Sequence, residues 1–237
     1  MLSIVIPVRD DFAIIEESIE KITTFLDRLA FVEYEVIVVD DASTDDIVAG
    51  YAFIKKLVND HIRILSLRRH VGQLTAIAHG IEFARGELLL TCDADLKADI
   101  SLLDRALACL EGGADMVTIR RTVRPGVPGW RLIGSGFINS IVNAATGRRL
   151  SFNGPTFKLI RREVWQRTLS DPIAARMPVV FCAKYARKID VIEVAINQKK
   201  SRSRYSTFSL FTLSLRVATL ALLEWIFGSG GYEERTR

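Results

Sequence analysis

Apolar and polar positions alternate in blocks through the first part of the chain. A continuous apolar run over 3–8 predicts a buried strand. Apolar residues at Phe12, Ile15, Ile19, Ile22, Phe25, Leu26 and Leu29 then recur at helical spacing and predict a helix over 12–29. Apolar runs over 35–39, 63–67 and 88–91 predict three more strands. Between them, Ser43, Thr44 and Asp45 offer cap chemistry for a helix running through Lys55 to Val58, and 73–84 reads as a helix stopped by Gly86. Such alternation implies an α/β fold with a mostly parallel sheet flanked by helices. Farther along, the pattern predicts a helix over 102–110, a strand over 116–119 and strands over 157–160 and 191–196. A helix over 130–145 follows a loop holding Pro125, Gly126, Pro128 and Gly129. No internal repeat or low-complexity tract interrupts this order.

The chain changes character from Tyr205 to Phe227, which is strongly apolar apart from a polar stripe of Ser209, Thr212, Arg216 and Thr219 at helical spacing. Arg216 and Glu224 keep its charge-free part below the ~18 apolar residues that argue for a spanning helix. An amphipathic helix lying in the membrane interface over 205–228 is the expectation preferred over a core helix, a helix pairing with a second copy of the chain, or a true span. Gly228 to Gly231 supply a stop, and 229–237 is expected to be a disordered tail. The main domain is then 1–204.

Composition narrows the picture modestly. A length of 237 residues, 49% of them hydrophobic, suits one α/β domain with an appendage. The three cysteines, Cys92, Cys109 and Cys182, have neither metal-ligand nor disulfide-framework spacing, which favours a reducing compartment and inert core roles. The start has no charged leader region and reads as the first strand, so a cytoplasmic location is expected. Net charge is only +4, yet cations gather in three groups: Arg120, Arg121, Arg124 and Arg131; Arg148, Arg149, Arg161 and Arg162; and Lys199, Lys200, Arg202 and Arg204. All follow Asp95 and suggest an anion-binding half.

The chemistry centres on Asp93 and Asp95, at the end of the apolar run over 88–91. If the strand continues, the two carboxylates point the same way and can converge on one hard cation, as a site for a nucleotide diphosphate requires. Asp10, Asp11, Asp40 and Asp41 fall at the same expected sheet edge, where such folds bind ligands, although capping of following helices also accounts for them.

Ile4-Val5-Ile6-Pro7-Val8, Val36-Ile37-Val38-Val39-Asp40-Asp41-Ala42-Ser43-Thr44-Asp45, and His70-Val71-Gly72-Gln73 through Ala84-Arg85-Gly86-Glu87 to Asp93-Ala94-Asp95-Leu96 resemble the ordered motifs of family 2 glycosyltransferases. Within that family, Phe137-Ile138-Asn139, Phe157 to Arg162 and Ser203-Arg204-Tyr205-Ser206 are most similar to the polyprenyl-phosphate glycosyltransferases. The resemblance implies a GT-A-type nucleotide-sugar-binding fold over 1–204. It also implies a metal-dependent, inverting transfer of a sugar to a polyprenyl phosphate at the cytoplasmic membrane face.

Carried over by residue, the resemblance implies that Pro7, Asp11, Asp40, Asp41, Gly72, Gln73 and Asp93 bind the donor nucleotide. Asp93 and Asp95 would hold Mg or Mn, with Asp95 the better ligand and, with Arg131, the catalytic candidate. Asp11 stands where relatives usually carry Glu, and His70 replaces a usual Asn and reads as a turn residue. A phosphate acceptor, with a second pKa near 6, arrives largely as a dianion and needs cations more than a base. Arg121, Arg124, Lys199, Arg202, Ser203 and Arg204 suit that need.

Two departures from the family pattern matter. Phe152 and Asn153 stand where relatives commonly carry an Asp, and Arg202 stands where an acid is usual. Transfer to a saccharide hydroxyl and a non-catalytic nucleotide-sugar-binding subunit are the alternatives. Nucleic acid is disfavoured because the basic groups lack interleaved aromatics, and a dinucleotide enzyme because no glycine-rich fingerprint follows the first strand.

Overall fold

A computed structural model describes residues 1–10, 12–29, 33–44, 61–96, 100–121, 139–140, 142–144, 146–147, 157–194, 215–220, 222–223 and 226. Its strands are β1 (Leu2–Val8), β2 (Tyr34–Asp40), β3 (Ile62–Ser66), β4 (Leu88–Thr91), β5 (Met116–Arg121), β6 (Lys158–Arg161) and β7 (Ile189–Val194). The helices are α1 (Phe12–Arg28), α2 (Gln73–Phe83), α3 (Leu102–Glu111), α4 (Arg162–Leu169) and α5 (Pro178–Tyr185), with a 3-10 turn at Ala174–Arg176. The described residues between 139 and 146 and between 215 and 226 are also helical.

The strands form one sheet of seven in the order β3-β2-β1-β4-β6-β5-β7. β1, β2, β3 and β4 are mutually parallel. β6 lies antiparallel between β4 and β5, whereas β7 runs parallel to β5. The carboxyl ends of β4, β5 and β7 therefore share one edge with those of β1 to β3, and β6 begins there.

Alternation along the strands divides the core into two layers. Ile4, Ile6, Val8, Val36, Val38, Leu90 and Cys92 face α1 and α3, whose Ile15, Ile19, Ile22, Leu26, Leu103, Ala106 and Leu110 are buried against them. Val5, Ile37, Val39 and Leu89 face the other way, onto Ala76, Ile77 and Ile81 of α2 and Trp165 of α4. Gly80 lets α2 approach the sheet, because a Cβ there would overlap Val5 Cγ1 and lie 2.7 Å from Val39 Cγ2.

A smaller cluster joins Val142, Met177, Val180 and Phe181 to Val217 and Leu220 of the C-terminal helix. Leu74, in the first turn of α2, touches both this cluster and the α2 layer. The C-terminal helix is thereby packed near the carboxyl edge. Its other side exposes Leu215, Leu222 and Ile226. Among the described residues, no helix is long and apolar enough to cross a membrane.

The opposite edge is bolted by a polar network. Glu35, 2% exposed, accepts hydrogen bonds from Ser3 Oγ, Arg63 Nη1 and the Arg85 amide, each at 2.6 Å. Burial alone would raise the Glu35 pKa, but these donors outweigh it and hold the carboxyl below its usual range. Arg161 donates to the carbonyls of Leu110 and Ala114, and Arg162 to those of Gly86 and Ala84. This corrects the expected grouping of cations: because β6 is antiparallel, these two arginines lie at the far edge and satisfy backbone carbonyls. The helix expected through Lys55 to Val58 lies outside the described residues.

Candidate active site

The carboxyl edge opens between β1 and β4. Pairing of these strands ends at Val5 and Thr91, followed by one last bond from the Cys92 amide to the Val5 carbonyl at 3.2 Å. On the other side, the Val8 carbonyl accepts from the Asp41 amide at 2.9 Å. Alternation then turns position 7 toward β4, just past the last bond, so Pro7 lacks an N-H where no ladder partner remains. β2 and β3 lie on one side of β1 and β4 on the other. This makes the gap a topological switch point, the place where open α/β sheets bind ligands.

Asp93 and Asp95 line the β4 side of that gap, but not on an extended strand. β4 stops at Thr91, and Asp93 to Leu96 form a turn closed by the Leu96 amide donating to the Asp93 carbonyl at 3.0 Å. Leu96 takes φ 43°, and Ser18 Oγ on α1 donates to the Ala94 carbonyl at 2.5 Å, tying the turn to the first helix. Strand alternation is thus not what places the carboxylates. Gln73 Nε2, at the start of α2, donates to Asp93 Oδ1 at 2.8 Å, while Asp95 is exposed. The neighbouring Cys92 thiol is 1% exposed. Burial, then the charges of Asp93 and Asp95, push its pKa far above the ordinary thiol range and leave it unreactive.

The ends of β1 and β2 are tied to each other. The Asp10 amide donates to Ser43 Oγ at 3.0 Å, and Ser43 Oγ donates to Asp40 Oδ1 at 2.6 Å. Asp10 Oδ1 accepts from the Thr44 amide at 2.8 Å. That bond leads the influences holding the exposed Asp10 carboxyl below its usual range, with the charges of Arg9 and His70 adding to it. Asp10 and Ala42 both sit at φ 52°, a left-handed conformation that short polar Asp tolerates better than Ala.

Asp41 reaches across to the loop before α2. It is 3% exposed. Its Oδ1 accepts from the Val71 amide at 2.7 Å, and its Oδ2 from the Gly72 amide at 2.9 Å and His70 Nδ1 at 2.8 Å. Gly72 precedes α2 at φ 88°, and among the described residues a Cβ there would meet nothing within 4 Å. Glycine is favoured here by the backbone angle rather than by crowding from the described residues.

The structure therefore gathers Pro7, Asp40, Asp41, Gly72, Gln73, Asp93 and Asp95 at one edge. The backbone of Arg121 ends β5 there, two strands from β4. Asp11, Arg124, Arg131, Lys199, Arg202, Ser203 and Arg204 lie outside the described residues, as do Phe152 and Asn153. Sequence reasoning gave Lys158 no role beyond its place in the stretch Phe157 to Arg162; it pairs with Thr91 and Thr118 and donates through Nζ to the Val179 carbonyl at 2.5 Å. Sequence reasoning also missed the contact of His70 with Asp41. No local motif signals either, because the partners are far apart in sequence.

Among the described residues, no group of three or more His, Cys, Asp or Glu side chains gathers as a metal centre. Asp93 and Asp95 offer two carboxylates, and these fit Mg or Mn, ions held by one or two carboxylates when phosphate oxygens and water complete the shell. Gln73 supplies the outer support such a ligand commonly has.

Residues 3–169 match the family model described as glycosyl transferase family 2. The chain is 30% identical over 220 residues to an undecaprenyl-phosphate 4-deoxy-4-formamido-L-arabinose transferase of Proteus mirabilis, covering 92% of this chain and 67% of that protein. The fold is similar to that of glucosyl-3-phosphoglycerate synthase from Mycobacterium tuberculosis, solved with Mn2+, UDP-glucose and phosphoglyceric acid. That likeness has a TM-score of 0.63 and 17% identity, and covers 98% of this chain and 82% of the other. Mannosyl-3-phosphoglycerate synthase from Rubrobacter xylanophilus also has a TM-score of 0.63, at 16% identity over 100% of this chain and 77% of its own.

Proposed function

The chain belongs to glycosyl transferase family 2, with the GT-A fold, and from that membership we propose that it transfers a sugar from a nucleotide-sugar donor to a polyprenyl phosphate at the cytoplasmic face of a membrane. The observation carrying the acceptor assignment is the 30% identity, over 92% of the chain, to a transferase named for undecaprenyl phosphate. The donor assignment is supported by the open β1/β4 gap with Asp93 and Asp95 on its rim.

In this reading Asp93 and Asp95 hold Mg or Mn, which when bound neutralises the departing nucleoside diphosphate. Gln73 orients Asp93, and Asp41 holds the loop carrying Gly72 against the sheet. Pro7, Asp40 and Gly72 are assigned to the walls of the donor trough, and Asp11 is assigned to the donor by the family resemblance alone. The acceptor phosphate, already largely dianionic near neutral pH, attacks the sugar carbon as the bond to the diphosphate breaks, giving inversion without a general base. Arg121, Arg124, Arg131, Lys199, Arg202, Ser203 and Arg204 are assigned to grip the acceptor. The positions of Arg121 at the end of β5 and of Val194 at the end of β7, both on the carboxyl edge, support that assignment.

The C-terminal helix supports a membrane-facing acceptor side. Val217 and Leu220 are buried on the protein, whereas Leu215, Leu222 and Ile226 are 59%, 52% and 52% exposed. At 3.6 residues per turn these three fall on one stripe, an arrangement suited to the headgroup boundary. The test is a panel of nucleotide sugars presented with short-chain polyprenyl phosphate and Mg or Mn, with lipid-linked sugar as the readout. Transfer from one donor with inverted stereochemistry is expected. No transfer to polyprenyl phosphate from any donor, or a product retaining the donor configuration, removes the proposal.

A further inference from the structure

His70 is built into the edge in a way that a turn residue does not require. Its Nδ1 lies 2.8 Å from Asp41 Oδ2, and Asp41 is buried and holds the next two amides of the same loop. A carboxylate that already takes two amides accepts here as well, so Nδ1 carries a proton toward Asp41 and Nε2 is the nitrogen left to meet a ligand. Nε2 has no partner among the described residues, and the side chain is 51% exposed. The ring is thus fixed at one nitrogen and open at the other.

Its place along the edge says what the open nitrogen meets. Three residues later Gln73 bonds Asp93, the diphosphate end of the trough, and three residues of chain span at most about 10 Å. His70 stands on the side away from that end, against Asp41 just past the end of β2. A donor whose diphosphate lies at Asp93 and Asp95 and which follows the edge brings its nucleoside against the imidazole.

We propose that His70 is a donor-contacting residue: Asp41 fixes its Nδ1, and its exposed Nε2 forms a hydrogen bond with the nucleoside of the nucleotide sugar. The inference rests on the donor reading above but not on the acceptor. Asn separates the two roles of the ring, because its amide nitrogen reproduces the Nδ1 donor to Asp41 and offers nothing at the Nε2 position.

The experiment is calorimetric titration of the full chain and of His70→Asn with UDP, GDP, CDP, ADP and dTDP in the presence of Mn2+, without lipid. His70→Asn is expected to bind the preferred nucleotide about tenfold more weakly, with its unfolding temperature and its affinity for Mn2+ alone unchanged. Wild-type affinity in His70→Asn overturns the contact and leaves His70 as a loop anchor. If the wild type binds none of these nucleotides, the donor reading fails and the inference with it. A measurement free of any substitution is the 15N resonance of His70 Nε2 in the wild type, expected to shift on nucleotide addition; an unmoved resonance overturns the proposal.

Discussion

Gln73 Nε2 donates to Asp93 Oδ1 at 2.8 Å, so the first residue of α2 holds a carboxylate that follows β4. Outer partners of metal ligands typically contribute about 10–100-fold in affinity. Gln73→Leu is therefore expected to weaken Mn2+ binding, measured in the presence of nucleoside diphosphate, by that factor. Unaltered Mn2+ affinity would remove Gln73 from the site.

Asp95 is exposed at the crest of its turn. Asp95→Ala should abolish metal-dependent sugar transfer while changing unfolding free energy by less than about 1 kcal/mol, as surface substitutions usually do. Residual turnover that still depends on metal would place the ligand elsewhere.

Glu35 makes stability depend on pH. Its folded pKa is held down by Ser3, Arg63 and Arg85 against the opposing effect of burial, so its contribution is complete above the unfolded value of about 4.3 and is lost as pH falls through the lower folded value. Glu35→Gln should lower stability at pH 7 by about 2 kcal/mol and flatten the acid limb of an unfolding-free-energy profile. An acid limb as steep as the wild type's would show that other groups govern it.

The contact of α2 with the sheet tolerates no methyl group at Gly80, where an added Cβ would collide with Val5 and Val39. Gly80→Ala is expected to cost about 1–3 kcal/mol in urea unfolding through overpacking. A neutral or stabilising result would mean that the helix shifts freely.

Leu222 and Ile226 lie on the exposed stripe of the C-terminal helix. Replacing both with Glu should abolish co-sedimentation with anionic vesicles while leaving the circular dichroism spectrum and nucleotide binding intact. Retained vesicle binding would assign membrane contact to another surface.

Much of the sheet was legible because its strands are short, continuous apolar runs. The run over 88–91 coincides with β4, and helical spacing from Ile15 to Leu26 marks the buried face of α1. Two helices were not legible. Pro178–Tyr185 is apolar on all sides, with Val179, Val180, Phe181, Cys182 and Ala183 all buried, and so shows no helical period. Arg162–Leu169 buries only Val164, Trp165 and Thr168 among charged neighbours. The direction of β6 was equally hidden, since its partners Leu88–Thr91 and Met116–Thr118 are set by distant pairing. At the site, residue types marked the two carboxylates, but the turn presenting them depends on Ser18, far away on α1.

The antiparallel position of β6 also imposes an order of synthesis. The first four strands of the sheet are made before residue 92, yet the outer side of β4, Leu88-Leu89-Leu90-Thr91, acquires its partner only with Lys158–Arg161. Until those residues leave the ribosome, a nascent chain carries an apolar edge with open backbone donors and acceptors, the kind of surface that recruits other chains. Truncations ending before Arg161 retain that edge permanently and should aggregate, whereas the span 1–194 closes it.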